Sequence, residues 1–419
     1  MTPAARLQAV IDVLQGLEAT AQPADRFLHD FFRARRYMGA KDRAAVSERT
    51  YAVLRHRSSF AWRMDSGEAR SLVIASLAGD GLSTDAIAAL FDGNGYGPAV
   101  LSGAERRALS SPPDREPPLC VRGEFPPFLE AELSRAFGPA LPDEMTAMQA
   151  RAPVDLRVNT LKASREAVLE ALRAEGFAVD PTPYAPMGLR LPPGAGSAKL
   201  SAMPHFAKGA FEFQDEAAQI AAILCAAKPG MRVLDLAAGA GGKSLALAAA
   251  MKNIGEVVAH DANPARLRPL VSRATRAGAT IVRPRLERPQ GAFDVVLIDS
   301  PCSGSGTWRR QPELRWRITP DGLKALMGLQ DDLLEHGAAL VAAGGRLVYA
   351  TCSLLPCENE DRTRYFLSRR ADFDVVPASS VWLEAVGTAP PPGLDRFFKA
   401  TPLQTGTDGF FTAVLRRER

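Results

Sequence analysis

The sequence predicts an α/β protein in which a Rossmann-like parallel sheet follows a small α+β module and an all-α N-terminal domain. Three observations support this prediction: helical apolar spacing at the start, a strand–helix–strand pattern in the middle, and apolar runs that alternate with helical segments in the second half. A chain of 419 residues is long enough for about two or three domains. We expect domains at residues 1–110, 119–206 and 207–419, with a linker at 111–118.

Residues 1–110 are expected to contain only helices. Apolar side chains recur at helical spacing, for example at Leu7, Val10, Ile11 and Leu14. The stretch that ends this domain reads S-S-P-P-D-R-E-P-P. Its prolines disfavour both helix and strand, and we therefore expect a linker there.

The basic residues of the N-terminal domain are concentrated between Arg26 and Arg63. This segment contains ten Lys or Arg residues and three acidic residues, whereas the whole chain has a formal charge of only +4. A solvated helical surface explains such a segment as well as a phosphate-binding face does. In an enzyme that acts on nucleic acid, the phosphate-binding face is the expected interpretation.

The middle module is predicted from one strand-like run and one amphipathic helix. Residues 156–161 read L-R-V-N-T-L, and the helix at 165–175 places Val168 and Leu172 on one face. A second strand-like run lies near Phe177. The pattern indicates a small α+β fold.

The second half of the chain alternates between strands and helices. Such βα repeats form a parallel, doubly wound sheet, which binds ligands beyond the carboxyl ends of its strands. The expected strands are residues 232–236, 256–261, 281–283, 294–299 and 346–350.

A turn of small residues, 237–243, follows the first of these strands. A P-loop would need glycine at Ala237, and a dinucleotide fingerprint would need glycine at Ser244, so neither motif is complete. The remaining pattern combines the strand-end acid Asp235 with Asp261 at the end of the next strand. Because a carboxylate can accept both hydroxyls of a ribose, this pattern suits S-adenosylmethionine. A tight turn without a ligand is the alternative.

Two cysteines follow apolar strands in short polar boxes. Cys302 lies in D-V-V-L-I-D-S-P-C-S-G and Cys352 in G-R-L-V-Y-A-T-C-S. Thiols at strand ends of one sheet predict covalent chemistry on a shared substrate. Cys120 and Cys225 lie outside polar boxes and are expected to pack as small apolar residues, and Cys357 is assigned no role. The sequence contains no C-x-x-C pair, so neither a zinc site nor a disulfide framework is indicated.

The order of these boxes resembles that of the Sun family of RNA cytosine-5 methyltransferases. The resemblance is specific over roughly the last half of the chain. The middle module is also similar to the RNA-binding subdomain of that family, through L-R-V-N-T-L-K, and the helical domain is similar to the RNA-binding factor NusB. The matching boxes are F-E-F-Q-D-E-A-A from Phe211, D-L-A-A-G-A-G-G-K-S from Asp235, the strand end at Asp261, D-S-P-C-S-G-S-G from Asp299, and Y-A-T-C-S-L-L-P-C-E-N-E from Tyr349.

The resemblance implies a class I methyltransferase sheet and transfer of a methyl group to C5 of a cytosine in RNA. It implies that Cys352 is the nucleophile that adds to C6 and that Cys302 assists product release. Asp299 would bond the edge of the base, and Lys243 would order this polar cluster. Reversed roles of the cysteines are the alternative, since DNA cytosine-5 methyltransferases use the cysteine of a Pro-Cys box.

S-adenosylmethionine is the cofactor that the resemblance implies. The chain departs from the family pattern at Ala237 and Ala240, where cysteine and proline are usual, and in the third strand, which lacks its usual aspartate. Glu287 is the nearest candidate substitute. The residues expected to contact the cofactor are Ala237, Ala238, Gly239, Ala240, Gly241, Gly242, Lys243, Asp261 and Asp299.

The expected partner is RNA, with 16S ribosomal RNA favoured and tRNA as the alternative. A catalytically idle RNA-binding ribosome assembly factor is a third hypothesis. We expect a monomer in the cytoplasm, with no metal and no membrane segment. The segment after Cys302 interleaves aromatic and guanidinium groups and is expected to stack on single-stranded RNA, with a solvated loop as the alternative. Its residues are Trp308, Arg309, Arg310, Arg315, Trp316 and Arg317.

Overall fold

The computed structural model describes residues 1–111 and 113–418. The chain divides into two compact units, Met1–Gln149 with Trp308–Arg317, and Ala150–Thr307 with Ile318–Arg419. The expected linker at 111–118 lies inside the first unit, and its Pro112 lies outside the described residues. Within the described part of the chain, no helix has the length and apolar character needed to cross a membrane.

The first unit is built from helices, as the sequence predicts. The side chains of Leu7, Val10, Ile11 and Leu14 are buried in its core. Local signals start several helices; for example, the hydroxyl of Thr2 accepts a hydrogen bond from the first turn of α1. In chain order its helices are α1 (Pro3–Glu18), α2 (Ala24–Ala34), α3 (Ala40–Arg55), α4 (Arg57–Met64), α5 (Ala69–Gly79), α6 (Thr84–Leu90), α7 (Gly103–Ser110), α8 (Leu119–Arg122), α9 (Glu130–Phe137), α10 (Leu141–Ala147) and, numbered by its place in the chain, α17 (Leu314–Arg317).

The second unit begins with a four-stranded antiparallel sheet of strand order β2-β3-β1-β4. The second strand expected near Phe177 is present as a two-residue strand that begins at Asp180. The N–H of Phe177 bonds to the carbonyl of Leu172 and closes the end of the preceding helix, with Gly176 at φ +80°. The elements are β1 (Val154–Val158), α11 (Arg165–Ala174), β2 (Asp180–Pro181), β3 (Gly188–Leu191), α12 (Ser197–Ser201), α13 (Pro204–Ala207) and β4 (Phe211–Phe213).

The rest of the second unit is an eight-stranded sheet with helices between its strands. The five expected strands are present with shifted ends, and they pair in parallel. The elements are α14 (Glu216–Ile223), β5 (Arg232–Asp235), α15 (Gly242–Ala250), β6 (Glu256–His260), α16 (Pro264–Ala277), β7 (Val282–Arg285), β8 (Phe293–Asp299), α18 (Pro320–Ala339), β9 (Val341–Thr351), α19 (Glu360–Arg369), β10 (Phe373–Val376), α20 (Ala378–Ala385), β11 (Phe398–Ala400), α21 (Pro402–Thr405) and β12 (Phe410–Arg417).

The strand order of this sheet is β10-β12-β9-β8-β5-β6-β7, with β11 paired to β12. The chain moves outward from β5 in one direction through β6 and β7, and in the other through β8 and β9. The switch point therefore lies between β5 and β8, which is where open α/β sheets bind ligands. The last three strands form an antiparallel edge that the sequence analysis did not predict.

Half of the side chains expected to stack on RNA in the segment 308–317 are buried. Trp308 and Arg315 are almost completely buried within the first unit. The Arg315 guanidinium donates hydrogen bonds to the carbonyls of Arg55, Glu124 and Met148, at 3.4, 3.0 and 3.4 Å. Burial removes Trp308, Arg309 and Arg315 from both the RNA-stacking prediction and the solvated-loop alternative, whereas Arg310, Trp316 and Arg317 are partly exposed.

Candidate active site

Two neighbouring parallel strands bring the predicted cysteines together. Asp299 at the end of β8 pairs in register with Ala350 of β9, and the N–H of Ser300 donates to the Ala350 carbonyl at 2.8 Å. The loops that follow these strands start side by side. The sulfurs of Cys302 and Cys352 lie 3.4 Å apart, and both residues are partly exposed.

The two thiols are coupled by their proximity. The hydrogen bond between the two sulfurs, together with burial, raises the pKa of Cys302 well above its ordinary value. Either sulfur can donate the hydrogen bond that joins them. The thiolate is the nucleophilic form of cysteine, and a neighbouring S–H donor stabilises it.

An ion pair crosses the switch point of the sheet. Lys243, in the first turn of α15, lies with its ammonium 2.6 Å from Oδ2 of Asp299. The lysine side chain is buried against the ring of Phe410, whereas the Asp299 side chain is about one-third exposed, at 36%. Lys243 thus fixes one side of a carboxylate whose other side remains accessible to a ligand.

The small-residue turn after β5 is tied to the end of β6. The N–H of Ala238 donates to the carbonyl of His260 at 2.8 Å, and the N–H of Gly239 donates to Oδ2 of Asp261 at 3.0 Å. Gly241 has φ +80°, and a Cβ at this position would lie 2.1 Å from Cδ1 of Leu270. The turn therefore requires glycine at 241 both for its backbone conformation and for space.

Further contacts fix the remaining residues of the turn. Guanidinium groups donate to its carbonyls, from Arg273 to Ala240 at 2.6 Å and from the buried Arg157 to Gly242 at 2.7 Å. Ala237 is partly exposed at the carboxyl end of β5. Glu287, the candidate substitute for the missing aspartate, is exposed in the loop after β7.

Asp235 lies completely buried at the end of β5. One of its oxygens accepts a hydrogen bond from the Ser244 hydroxyl at 2.6 Å, and Oδ1 has no hydrogen-bond partner among the described residues. Burial raises the pKa of Asp235 to about 7, and the neighbouring charge of Asp299 adds to the rise. A buried carboxyl with one free acceptor atom is suited to a ligand that brings a hydrogen-bond donor or a positive charge.

One carboxylate to which the sequence pattern assigns no individual role binds both cysteine loops. Glu358 is completely buried and accepts hydrogen bonds from Ser303 and Ser353, the residues that follow the two cysteines. Its position just before α19 is typical of an acid at a helix N-terminus. An acid at a helix N-terminus needs no partner outside its own helix, so the sequence gives no sign of the contacts that Glu358 makes with the two cysteine loops.

Metal-ligand groupings are absent from residues 1–111 and 113–418: no group of three or more His, Cys, Asp or Glu side chains there is arranged to hold a metal ion. Lys243 and Asp299 pair with each other at the switch point, and Asp261 accepts from the backbone. The site thus offers a thiol pair, an ion pair and a glycine-containing turn.

Comparison with known proteins identifies similar chains. Residues 222–416 match the family model described as 16S rRNA methyltransferase RsmB/F, and residues 125–195 match the model of the RsmF/B-like ferredoxin-like domain. A probable ribosomal RNA small subunit methyltransferase B of Synechocystis sp. is 33% identical over 302 residues, covering 70% of this chain and 67% of that protein.

A second curated relative and a solved structure extend this similarity. The ribosomal RNA small subunit methyltransferase B of Pseudomonas syringae pv. tomato is 33% identical, covering 76% of this chain and 71% of that protein. The crystal structure of PH0851 superposes with a TM-score of 0.76 at 26% identity, covering 100% of this chain and 99% of that chain. The fold of the whole chain therefore has a solved counterpart.

Proposed function

Because this chain belongs to the RsmB/F family of 16S rRNA methyltransferases, we propose that it methylates C5 of a cytosine in 16S rRNA, with S-adenosylmethionine as the methyl donor. The observation that carries the cytosine-5 assignment is the pair of sulfurs 3.4 Å apart beside the Lys243–Asp299 ion pair. Two thiols at one strand edge suit a reaction in which one thiol adds to the base and the other assists its release.

The residues of the turn fit S-adenosylmethionine. Asp261 would accept the ribose hydroxyls, and the backbone at Gly239 and Gly241 would allow close approach of the cofactor. The free oxygen of Asp235 offers an acceptor for a cationic group. When bound, the cofactor supplies an electrophilic methyl group on a sulfonium.

Cys352 supplies the nucleophile in the proposed mechanism. C5 of cytosine is a poor nucleophile, so the Cys352 thiolate adds to C6, and the electrons of the C5–C6 double bond shift toward C4 and N3 to give an enamine that is nucleophilic at C5. C5 would then bond the methyl carbon as the bond from that carbon to the sulfonium sulfur breaks. Asp299, held by Lys243, bonds the edge of the base and favours its protonated form.

Release of the methylated base reverses this addition. Once C5 carries the methyl group, a general base takes the proton from C5, the electrons of that C–H bond reform the C5–C6 double bond, and Cys352 leaves as a thiolate. We assign Cys302 to this step because its sulfur lies beside that of Cys352. The family resemblance assigns the attack to Cys352, and the reversed assignment, in which Cys302 attacks, is the alternative that the substitutions below test.

The two cysteines are tested by substitution. Cys352→Ala is expected to abolish methyl transfer, whereas Cys302→Ala is expected to leave a covalent protein–RNA adduct that persists on a denaturing gel. Cys120→Ala is the matched control, because this thiol is buried in the first unit, and it should keep wild-type activity. Absence of an adduct from both the wild type and Cys302→Ala would contradict the two-cysteine mechanism.

The substrate is tested by bisulfite sequencing of total RNA from a deletion strain and its parent. Loss of the signal at one 16S cytosine is the expected result. A loss in tRNA would keep the reaction and overturn the substrate. No loss anywhere, together with no binding of S-adenosylmethionine in calorimetric titration, would support the idle assembly factor instead.

A further inference from the structure

The Glu358 carboxylate accepts four hydrogen bonds from three different segments. Oε1 accepts from the N–H of Ser303 at 2.8 Å and from the Gln330 amide at 3.0 Å. Oε2 accepts from the hydroxyls of Ser303 and Ser353. A carboxylate has about four lone-pair sites, and every one of them is used here.

A second layer of contacts holds Glu358 itself. The Tyr349 hydroxyl donates to the Glu358 carbonyl at 2.6 Å, and the side-chain amide of the next residue, Asn359, donates to the Ser353 carbonyl at 2.9 Å. The hydroxyl of Ser305 lies 3.1 Å from those of both Ser303 and Ser353. Because all these groups are buried, each bond is sheltered from competing water.

We propose that Glu358 is a positioning residue that holds the two cysteine loops at their reacting separation. Ser303 directly follows Cys302, and Ser353 directly follows Cys352, so a single carboxylate fixes the start of each loop. Hydrogen bonds to an ionised group are about twice as strong as neutral ones. The catalytic part of this inference rests on the proposed function, whereas the separation of the sulfurs can be measured without it.

Replacement by glutamine tests the carboxylate with little change in shape. Glutamine offers one acceptor oxygen and one NH₂ group, so two of the four donors lose their acceptor. A buried donor without a partner is unfavourable, and the loops are expected to move apart. Glu360→Gln is the matched control, because this buried carboxylate lies two residues away and pairs with Lys399 rather than with a cysteine loop.

The separation of the loops is measured by thiol oxidation with diamide. The oxidant takes two electrons and two protons from the Cys302 and Cys352 thiols, is itself reduced to the hydrazine, and leaves a disulfide. The experiment uses the full chain carrying Cys357→Ser, so that peptide mass spectrometry identifies the pair without ambiguity. We expect Glu358→Gln to slow disulfide formation about tenfold, with Glu360→Gln matching its parent.

Steady-state kinetics on RNA, with Cys357 intact, give the second readout. We expect Glu358→Gln to lower kcat about 100-fold and leave KM for RNA unchanged, since displacement of reacting groups by about 1 Å has effects of this size. Glu358→Asp, which keeps both oxygens on a shorter side chain, should recover part of the loss. If the role of Glu358 were purely structural, the substitution would lower the melting temperature without lowering kcat at an unchanged KM.

Each outcome decides between the two proposals. Wild-type oxidation rate and kcat in a folded Glu358→Gln variant would overturn the positioning role. If this variant does not fold, Ser353→Ala removes one hydroxyl donor, and an unchanged oxidation rate there would also overturn it. If the chain with Glu358 intact never methylates RNA, the proposed function is refuted. If Glu358→Gln then still slows disulfide formation, the positioning role of Glu358 is supported independently of that function.

Discussion

At the scale of single residues, burial changes the acid–base behaviour of the candidate site. Asp235 is an ordinary strand-end acid in the sequence, yet desolvation raises its pKa to about 7. The fold therefore favours the protonated form of this carboxyl. Its contribution to stability is fully present below the unfolded pKa of about 3.9 and is lost as the pH rises through 7.

Asp235→Asn should remove this pH dependence, because asparagine resembles the protonated acid. We expect the unfolding free energy of the variant, relative to the wild type, to rise by about 2 kcal/mol between pH 5 and pH 8. Urea unfolding at both pH values, without S-adenosylmethionine, measures the difference. A difference that stays constant with pH would show that Asp235 has the same pKa in the folded and unfolded chain.

At the scale of elements, the segment 308–317 shows how polar side chains can join helices. The Trp316 indole donates to the carbonyl of Leu54 at 3.0 Å, and the carboxylate of Glu313 accepts from the N–H of Ala24 at 2.9 Å, at the start of α2. These bonds satisfy backbone groups at helix ends, which have no partners within their own helices. The segment is therefore part of the first unit's framework.

Arg315→Met should destabilise the first unit, because it removes one guanidinium from three buried carbonyls. We expect the unfolding free energy to fall by about 3 kcal/mol. Arg317→Met is the matched control: Arg317 also donates to three carbonyls, but it is partly exposed, and water can replace it. Urea denaturation compares them, and equal losses would contradict the argument from burial.

At the scale of the whole molecule, the chain enters the first unit twice. Residues 308–317 belong to that unit although the sequence on either side of them belongs to the second. A fragment that begins at Ala150 would therefore contain residues 308–317 but none of their partners in residues 1–149. The division of the chain by its contacts is therefore not contiguous in sequence, and the domain boundaries expected from the sequence stay a prediction.

Deletion of residues 1–149 should consequently give an aggregating fragment, because the side chains of Trp308 and Trp316 would lose the helices that they pack against and become exposed to solvent. Replacing residues 308–317 in the same fragment with a glycine–serine linker of about eight residues should restore a monomeric, folded protein. Size-exclusion chromatography and circular dichroism distinguish these outcomes. Aggregation of both fragments to the same extent would show that the exposed segment is not the cause.

The sequence by itself determined the alternation of elements and the position of the candidate site. Helical spacing predicted the first unit, and βα repeats predicted the parallel strands that carry Cys302 and Cys352 at neighbouring ends. These features follow from local periodicity and from the rule that parallel strands end at one edge of a sheet. The catalytic and cofactor-binding roles of the site residues stay predictions.

Only the tertiary structure decided which distant groups meet. The 3.4 Å separation of the sulfurs and the four donors around Glu358 depend on strand register and side-chain packing. The antiparallel edge and the burial of Arg315 depend equally on residues far away in the chain. Side-chain composition in a segment such as 308–317 fits RNA stacking and helix joining alike, and the choice between them is made by the partners that folding brings into contact.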